Sequence, residues 1–351
     1  MKQFVKGVCL IVIVCTSCNA VFAQESDKKT EYLQLQPKRA TINSAVFSNV
    51  EVIDTRFDTD YLGFVQKGGF NRKEALILTQ PLKNEMATVV NKMIEGANKQ
   101  EGTLLINIRH FNVSEITGYN TERGTFAFKA GFYLKKDTVY RRLFATDTSF
   151  TVRAGGALDV TTRLLDTVPE ALGMFIKQAA GFDVNMADSR QYTAYDIRHI
   201  DELEKKELPV YNVDIPKMGL YVTYEDFKNN RPTREDIIVY HRKGFSRPFI
   251  YEMKEGNKKG KEIPSKSYYV VCDGEKMYIA RPRTLYPLTK INGDFYFTGV
   301  GKDEADMGTM VMAGVLFGLA GGLAAGHDTA IFEFKIDPSS GRFIPVRKIK
   351  D

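Results

Sequence analysis

The stretch GTLLINIRHFNVSEITGYNTERGTFAFKAGFYLKKDTVYRRLFATDTSFTVRA, Gly102 to Ala154, decides how the first half of this chain folds. Inside it GTLLINIRHFNVSEI alternates apolar and polar residues, and GTFAFKAGFYLKK and RRLFATDTSFTVRA read as its continuation. A period of two sends successive side chains to opposite faces of a strand. KDTVY falls between the second and third runs and marks a bend. The pattern predicts neighbouring antiparallel strands.

Upstream, AVFSNVEVIDTRFD reads as a strand and DYLGFVQKGG as a second one closing in a Gly-Gly turn. Thr79 and Pro81 then open a helix, with proline in its first turn. Leu82, Met86, Val89, Val90, Met93, Ile94 and Ala97 fall on one stripe of it. Downstream, Asp159 caps a helical stretch carrying Val160, Leu164, Leu165 and Val168. Pro169 is expected to end that stretch and to begin another, with Leu172, Phe175, Ile176 and Ala179 inward. Residues 41–187 therefore read as an α+β unit, a mixed sheet with two or three helices on one face.

The polar segment DSRQYTAYDIRHIDELEKKELP supplies a linker over 188–208. Residues 209–351 then offer short strands in close succession: GLYVTYEDF, DIIVYHR, FIYEMK, SYYVVCDG, KMYIAR, LYPLTKI and DFYFTGV. The Asp-Gly in CDGEKMYIA signals a hairpin. TAIFEFKIDPSSGRFIPVRKI signals another, with Phe332, Phe334 and Ile336 on one face. The second unit is thus mostly β, with an apolar glycine-rich insertion at 307–326.

Lys2 and Lys6 precede the apolar run GVCLIVIVC, and AVFA follows, the layout of a secretory leader over 1–23 cleaved after Ala23. A rival reading lipidates Cys18, although Cys15 stands where such a motif wants leucine. Polar residues 24–40 read as a flexible lead-in. Three of the four cysteines lie in the leader, so a cleaved chain keeps Cys272 alone and has no intrachain disulfide. Cys272 lies in an apolar strand run and reads as a small buried hydrophobe rather than a nucleophile. The net charge is +6, with 49 Lys and Arg against 43 Asp and Glu. So mild an excess points to no nucleic-acid partner.

Catalytic and ligand-binding patterns fail in turn. His110, His199, His241 and His327 are far apart, with no pair at helical spacing for zinc. DTDYLG, Asp58 to Gly63, begins like a calcium loop but has Leu62 at a ligand position. No Walker loop is present, and GFSRP around Ser246 lacks the flanking glycine of a nucleophile elbow. KEGNKKGKEIPSK is basic, is interrupted by Glu255 and Glu262, and reads as a solvated hairpin loop. His110 reads as a strand residue. No catalytic, metal or cofactor residue is assigned.

One segment is poorly explained by plain folding. GVLFGLAGGLAAG sets Gly314, Gly318, Gly322 and Gly326 four apart, inside a charge-free run from Met307 to Gly326. Glycines at that period form a ridge on which another backbone packs closely. The run approaches bilayer-crossing length, but its strongly apolar residues total only about −2 to −4 kcal/mol of insertion energy. Strand patterns on both sides require the chain to return, so the segment is expected to be a helical hairpin bending near Gly321 and Gly322. Its ridge packs in the protein's own core, in a membrane, or on a second copy or partner.

Two resemblances accompany this reading. KMGLYVTYEDFKNNRP, Lys217 to Pro232, with DGEKMYIA (Asp273 to Ala280) and GDFYF (Gly293 to Phe297), resembles uncharacterised secreted envelope proteins of Bacteroidota-type bacteria. VEVIDTRFDTDYLGF, with Asp54, Arg56, Leu62 and Gly63, is similar to the YajG-like envelope lipoproteins. Neither group lends a reaction; both imply an exported chain at the periplasm or the periplasmic face of the outer membrane. The sequence thus reads as a non-enzymatic envelope protein that binds or scaffolds. An envelope protein or a membrane surface is the expected partner, self-association is open, and no cofactor is implied. The alternative is an envelope hydrolase whose site is assembled from distant residues.

Overall fold

A computed structural model describes residues 30–37, 41–56, 58–67, 72–117, 122–154, 159–245, 247–302 and 329–349. The leader and the glycine-rich insertion lie outside them. The first half contains β1 (Thr30–Tyr32), β2 (Ser44–Ala45), β3 (Asn49–Asp54), β4 (Gly63–Lys67), β5 (Arg72–Ile77), α1 (Leu82–Met93) and β6 (Asn98–Lys99). It continues through β7 (Thr103–Thr117), β8 (Glu122–Lys136), β9 (Val139–Ala154), α2 (Val160–Ala180), β10 (Gln191–Tyr192), α3 (Ala194–Arg198) and α4 (Ile200–Lys206). The second half contains β11 (Gly219–Tyr221), α5 (Tyr224–Lys228), β12 (Ile237–Tyr240), β13 (Phe249–Lys254), β14 (Lys258–Glu262) and β15 (Val270–Cys272). It ends with β16 (Met277–Arg281), β17 (Thr284–Ile291), β18 (Asp294–Lys302), β19 (Thr329–Ile336) and β20 (Phe343–Ile349). The class is α+β with a β-rich second half, as the patterns predict.

The three quoted runs become β7, β8 and β9, paired antiparallel in the middle of an eight-stranded mixed sheet. Their inward side chains, among them Ile106, Phe111, Val113, Phe126, Phe128 and Phe132, form one core with α1 and α2. Helix α1 buries Leu82, Met86, Val89, Val90 and Met93, the stripe read from the sequence. Pro81 stands at its N-cap, while the Thr79 hydroxyl bonds Glu85 instead of the helix backbone. Helix α2 corrects the reading of Pro169: it runs unbroken through that residue. Its buried stripe continues from Leu164 and Val168 to Leu172 and Ile176. Burial along that stripe outweighs the roughly 3 kcal/mol cost of an interior proline. Asp159 caps the helix, accepting the Thr161 N–H at 3.0 Å.

The free edge of β7 is shared. β3 pairs in parallel with its first half and β4 with Val113 and Ser114 farther along. Between them the chain must turn outward and return, and Arg56 clamps that turn. Its guanidinium grips Asp54 with two bonds of 2.9 and 2.8 Å and donates to the Thr59 and Tyr61 carbonyls. The Arg56 side chain is buried and that of Asp54 is nearly so. Gly63 follows at φ +122, with the Val113 carbonyl where a β-carbon would be. Asp54, Arg56 and Gly63 thus hold a strand-to-strand passage.

Two segments differ from expectation. Residues 30–37 of the lead-in expected to be flexible are ordered: β1 pairs with β5, and Leu33 and Leu35 are buried in the first core. The linker carries β10, α3 and α4, because Ile197, Ile200 and Leu203 form an apolar face that covers Leu105, Tyr133 and Tyr140. These short helices lie on the side of the sheet opposite α1 and α2. β5 forms from the charged run RKEALI, in which composition alone predicts no strand.

In the second half, β11 and β15 to β20 form a seven-stranded antiparallel meander. One of its faces, with Cys272, Ile279, Phe295, Phe297, Phe332 and Phe334, closes around Tyr211 and Phe227. The meander curls: the Tyr269 hydroxyl, beside β15, donates to the Gly341 carbonyl beside β20 at 2.7 Å. Its other face, with Val271, Tyr278 and Leu285, is covered by Ile237 and Ile250 of a separate three-stranded sheet, β12–β13–β14. That small sheet therefore has one buried and one outward face.

Candidate functional site

Gly314, Gly318, Gly322 and Gly326 lie outside the described residues, as do His327 and Ser246. The remaining histidines stay apart. His199 stacks on Tyr195, and His241 Nε2 sits 3.4 Å from Asp273 at the surface. Among the described residues no three His, Cys, Asp or Glu side chains converge to hold a metal. Cys272 is fully buried, its thiol donating to the Pro216 carbonyl at 3.3 Å, and burial pushes that thiol up. It is a core residue.

Distant residues do meet in one place, the junction between the halves. The turn after β19 lies against the outward face of β7–β9, bringing Ser339 to Lys129 (2.7 Å) and Asp147 (3.2 Å). Lys129 also pairs with Asp201 at 3.6 Å and Asp337 at 4.0 Å. His110 lies beside them on β7. Burial pushes its imidazole down to about 4, against the pull of Asp147 and Asp337, and Arg342 and Lys129 add to the depression. Burial opposes the charge of Asp337, but Lys129 and the Ser340 and Ser339 hydroxyls outweigh it and hold the carboxyl low. The cluster superficially offers a serine with a lysine or histidine. A base, however, must take the serine's proton. Lys129 is an ion-paired donor to Ser339, whose hydroxyl turns to carboxylates. The chemistry is that of a latch.

Helix α4 extends the same latch. Arg109 is buried and bonds both Asp201 and Glu204; burial opposes its charge, yet those carboxylates raise its pKa. Arg142 bridges Glu204 and Asp188 at 3.1 and 3.2 Å. Lys205 reaches the second half, 3.2 Å from Asp294, which Lys335 also meets at 2.7 Å. Next to His110 on β7, Asn112 and Ser114 are buried with no hydrogen-bond partner for their side chains. Each such group costs about 1–3 kcal/mol.

The outward face of the small sheet is different in kind. Antiparallel register sets Tyr240 beside Phe249 and Ile238 beside Tyr251. Phe245, in the connecting loop, meets Phe249 edge-on at 5.4 Å between centroids. Cations sit over these rings: Lys259 over Tyr240 and Tyr251, Arg242 over Phe245, Arg247 over Phe249. Phe245 is 50% exposed and Tyr240 39%. From Ile237 to Ser267 there are eight Lys and Arg against three Glu, an excess of five in a chain of net charge +6. Most of the protein's surplus charge is therefore gathered on one small sheet. Sequence reading noticed only its basic loop, since the rings lie up to eleven residues apart and meet through strand register. Charge summed over a sliding window was the available signal.

No family model matches the chain, and no curated protein matches it in sequence. Among solved structures, a Xanthomonas campestris protein of family DUF330 is 17% identical, covering 42% of this chain and 91% of its own, at a TM-score of 0.28. A second, titled only as an uncharacterized protein, is 10% identical, with 42% and 94% covered and a TM-score of 0.23. Likeness this loose carries no functional argument.

Proposed function

We propose that this is a non-enzymatic binding or scaffolding protein of the cell envelope, exported by its leader and cleaved after Ala23. The cation–aromatic face of β12–β14 is its contact surface, and the observation that carries this reading is the set of half-exposed rings on that face with Arg242, Arg247 and Lys259 over them, in a segment rich in Lys and Arg. Exposed aromatic side chains with arginines beside them are the composition of an interaction surface rather than of a solvated one. The glycine ridge at Gly314, Gly318, Gly322 and Gly326 supplies a second contact, with a membrane or another protein.

Cell fractionation tests both parts. Reversing charge with Arg242→Glu and Lys243→Glu is expected to release protein from the envelope fraction at moderate salt; unchanged retention would sink the role of the face. Gly318→Leu with Gly322→Leu is expected to alter carbonate resistance or oligomer size, and no change in either rules out the ridge as a contact.

A further inference from the structure

Taking the cation–aromatic face as the contact surface, we infer that its partner is the surface of a bilayer containing anionic phospholipid. The inference rests on that reading and adds the partner's chemistry. Three features of the face select it.

The first is charge density. Arg242, Arg247 and Lys259 sit over the rings and Lys243 lies in the same loop, against Glu262 opposite Tyr251. They belong to a segment of eight cations and three carboxylates. Such an excess presents a local field that a neutral surface does not reward. Basic residues near an anionic leaflet each strengthen binding by about fivefold. The second is the placement of apolar groups. Phe245 projects from the β12–β13 loop between Arg242, Lys243 and Arg247, half exposed. A ring flanked by cations suits the interface of a bilayer, where aromatic groups lie at headgroup level and Lys or Arg reach the phosphates.

The third feature is how the rings are used. A nucleobase stacks on an open aromatic face. Here Tyr240, Phe245, Phe249 and Tyr251 each already carry a cation of the protein over a ring face. Stacking would have to displace those cations, whereas a phosphate layer meets them where they stand. The sheet's inner face is fixed on the meander through Ile237 and Ile250, so the outward face is presented by a packed element rather than by a loose tail.

Sedimentation of the full chain with vesicles tests this. Vesicles of phosphatidylcholine alone are compared with vesicles containing one-third phosphatidylglycerol. Binding is expected to be at least tenfold stronger to the acidic vesicles at low salt and to be lost at about 0.5 M salt, where charges a few ångströms apart are screened. Arg242→Gln with Lys243→Gln should weaken it about 30-fold. Phe245→Ser should weaken it at each salt concentration where the parent still binds, and circular dichroism checks that both variants fold. Equal binding to both vesicle types overturns the inference. So does tighter binding to a short single-stranded oligonucleotide than to acidic vesicles, which would assign the face to nucleic acid. If vesicles fail while charge reversal still releases the protein from envelopes in cells, the contact face stands and its lipid partner falls. If both fail, the face itself is wrong.

Discussion

His110 offers the sharpest test of the junction. It faces Lys129 from β8, Asp147 from β9, and Asp337 and Arg342 from the turn between β19 and β20, and burial holds its pKa at about 4 against an ordinary 6.5. The folded protein therefore refuses a proton that the unfolded chain accepts. Because the folded value lies below the unfolded one, stability falls as pH drops through 6.5 and levels off below about 4. Across that window the slope is about 1.4 kcal/mol per pH unit, and the whole loss is about 3 kcal/mol. His110→Gln keeps a polar side chain of similar size and removes the titration. Urea midpoints of both proteins at pH 7, 5.5 and 4 are the assay. The parent should lose about 3 kcal/mol more than the variant between the first and last. Acidic groups held low, Asp337 among them, destabilise both proteins as pH falls further and cancel in the difference. Parallel profiles for the two proteins would refute a buried neutral imidazole at the junction.

Further expectations concern the first sheet. Gly63→Ala should cost about 3–5 kcal/mol in a thermal or urea melt, since its β-carbon would collide with the Val113 carbonyl at φ +122; a loss under 1 kcal/mol contradicts the close approach. Arg56→Met leaves the largely buried Asp54 carboxylate without its partner and should cost about 3 kcal/mol. Adding Asp54→Asn should recover much of that loss, and strictly additive effects would show that the pair does not act together. Asn112→Leu should be neutral or stabilising by about 1 kcal/mol, because it removes a buried amide without partners. Clear destabilisation would reveal a partner for that amide.

The first half was largely legible because its main elements carry strong periodicity. β7 is written in alternation and the α1 stripe in helical spacing over a dozen residues or more, and β8 and β9 are long apolar runs that follow β7 closely. Pro169 misled because the local cost of proline is visible in sequence, while the sheet that outweighs it is not. β5 was missed since RKEALI shows a charged, half-exposed edge-like pattern. The linker was misjudged for a related reason. Its polar side chains Asp201, Glu204 and Lys205 meet partners more than 80 residues away, so charge that looked solvated is consumed in ion pairs. Arg56 and Asp54 show the opposite case. Their pairing is two residues apart, but what it holds, two strands on one edge of β7, needs the fold to be seen. The cation–aromatic face depended on the register between β12 and β13, which the loop between them fixes and which composition does not reveal.

The junction also imposes an order of events during synthesis. Ser339 closes over Asp147 from 192 residues farther along the chain. At about 5–20 residues per second, the first sheet leaves the ribosome some 10–40 s before its cover is made. Until then His110 lacks the cover that the turn carrying Asp337 and Arg342 brings, so the share of the acid sensitivity that rests on that cover arises only when the last hairpin is complete.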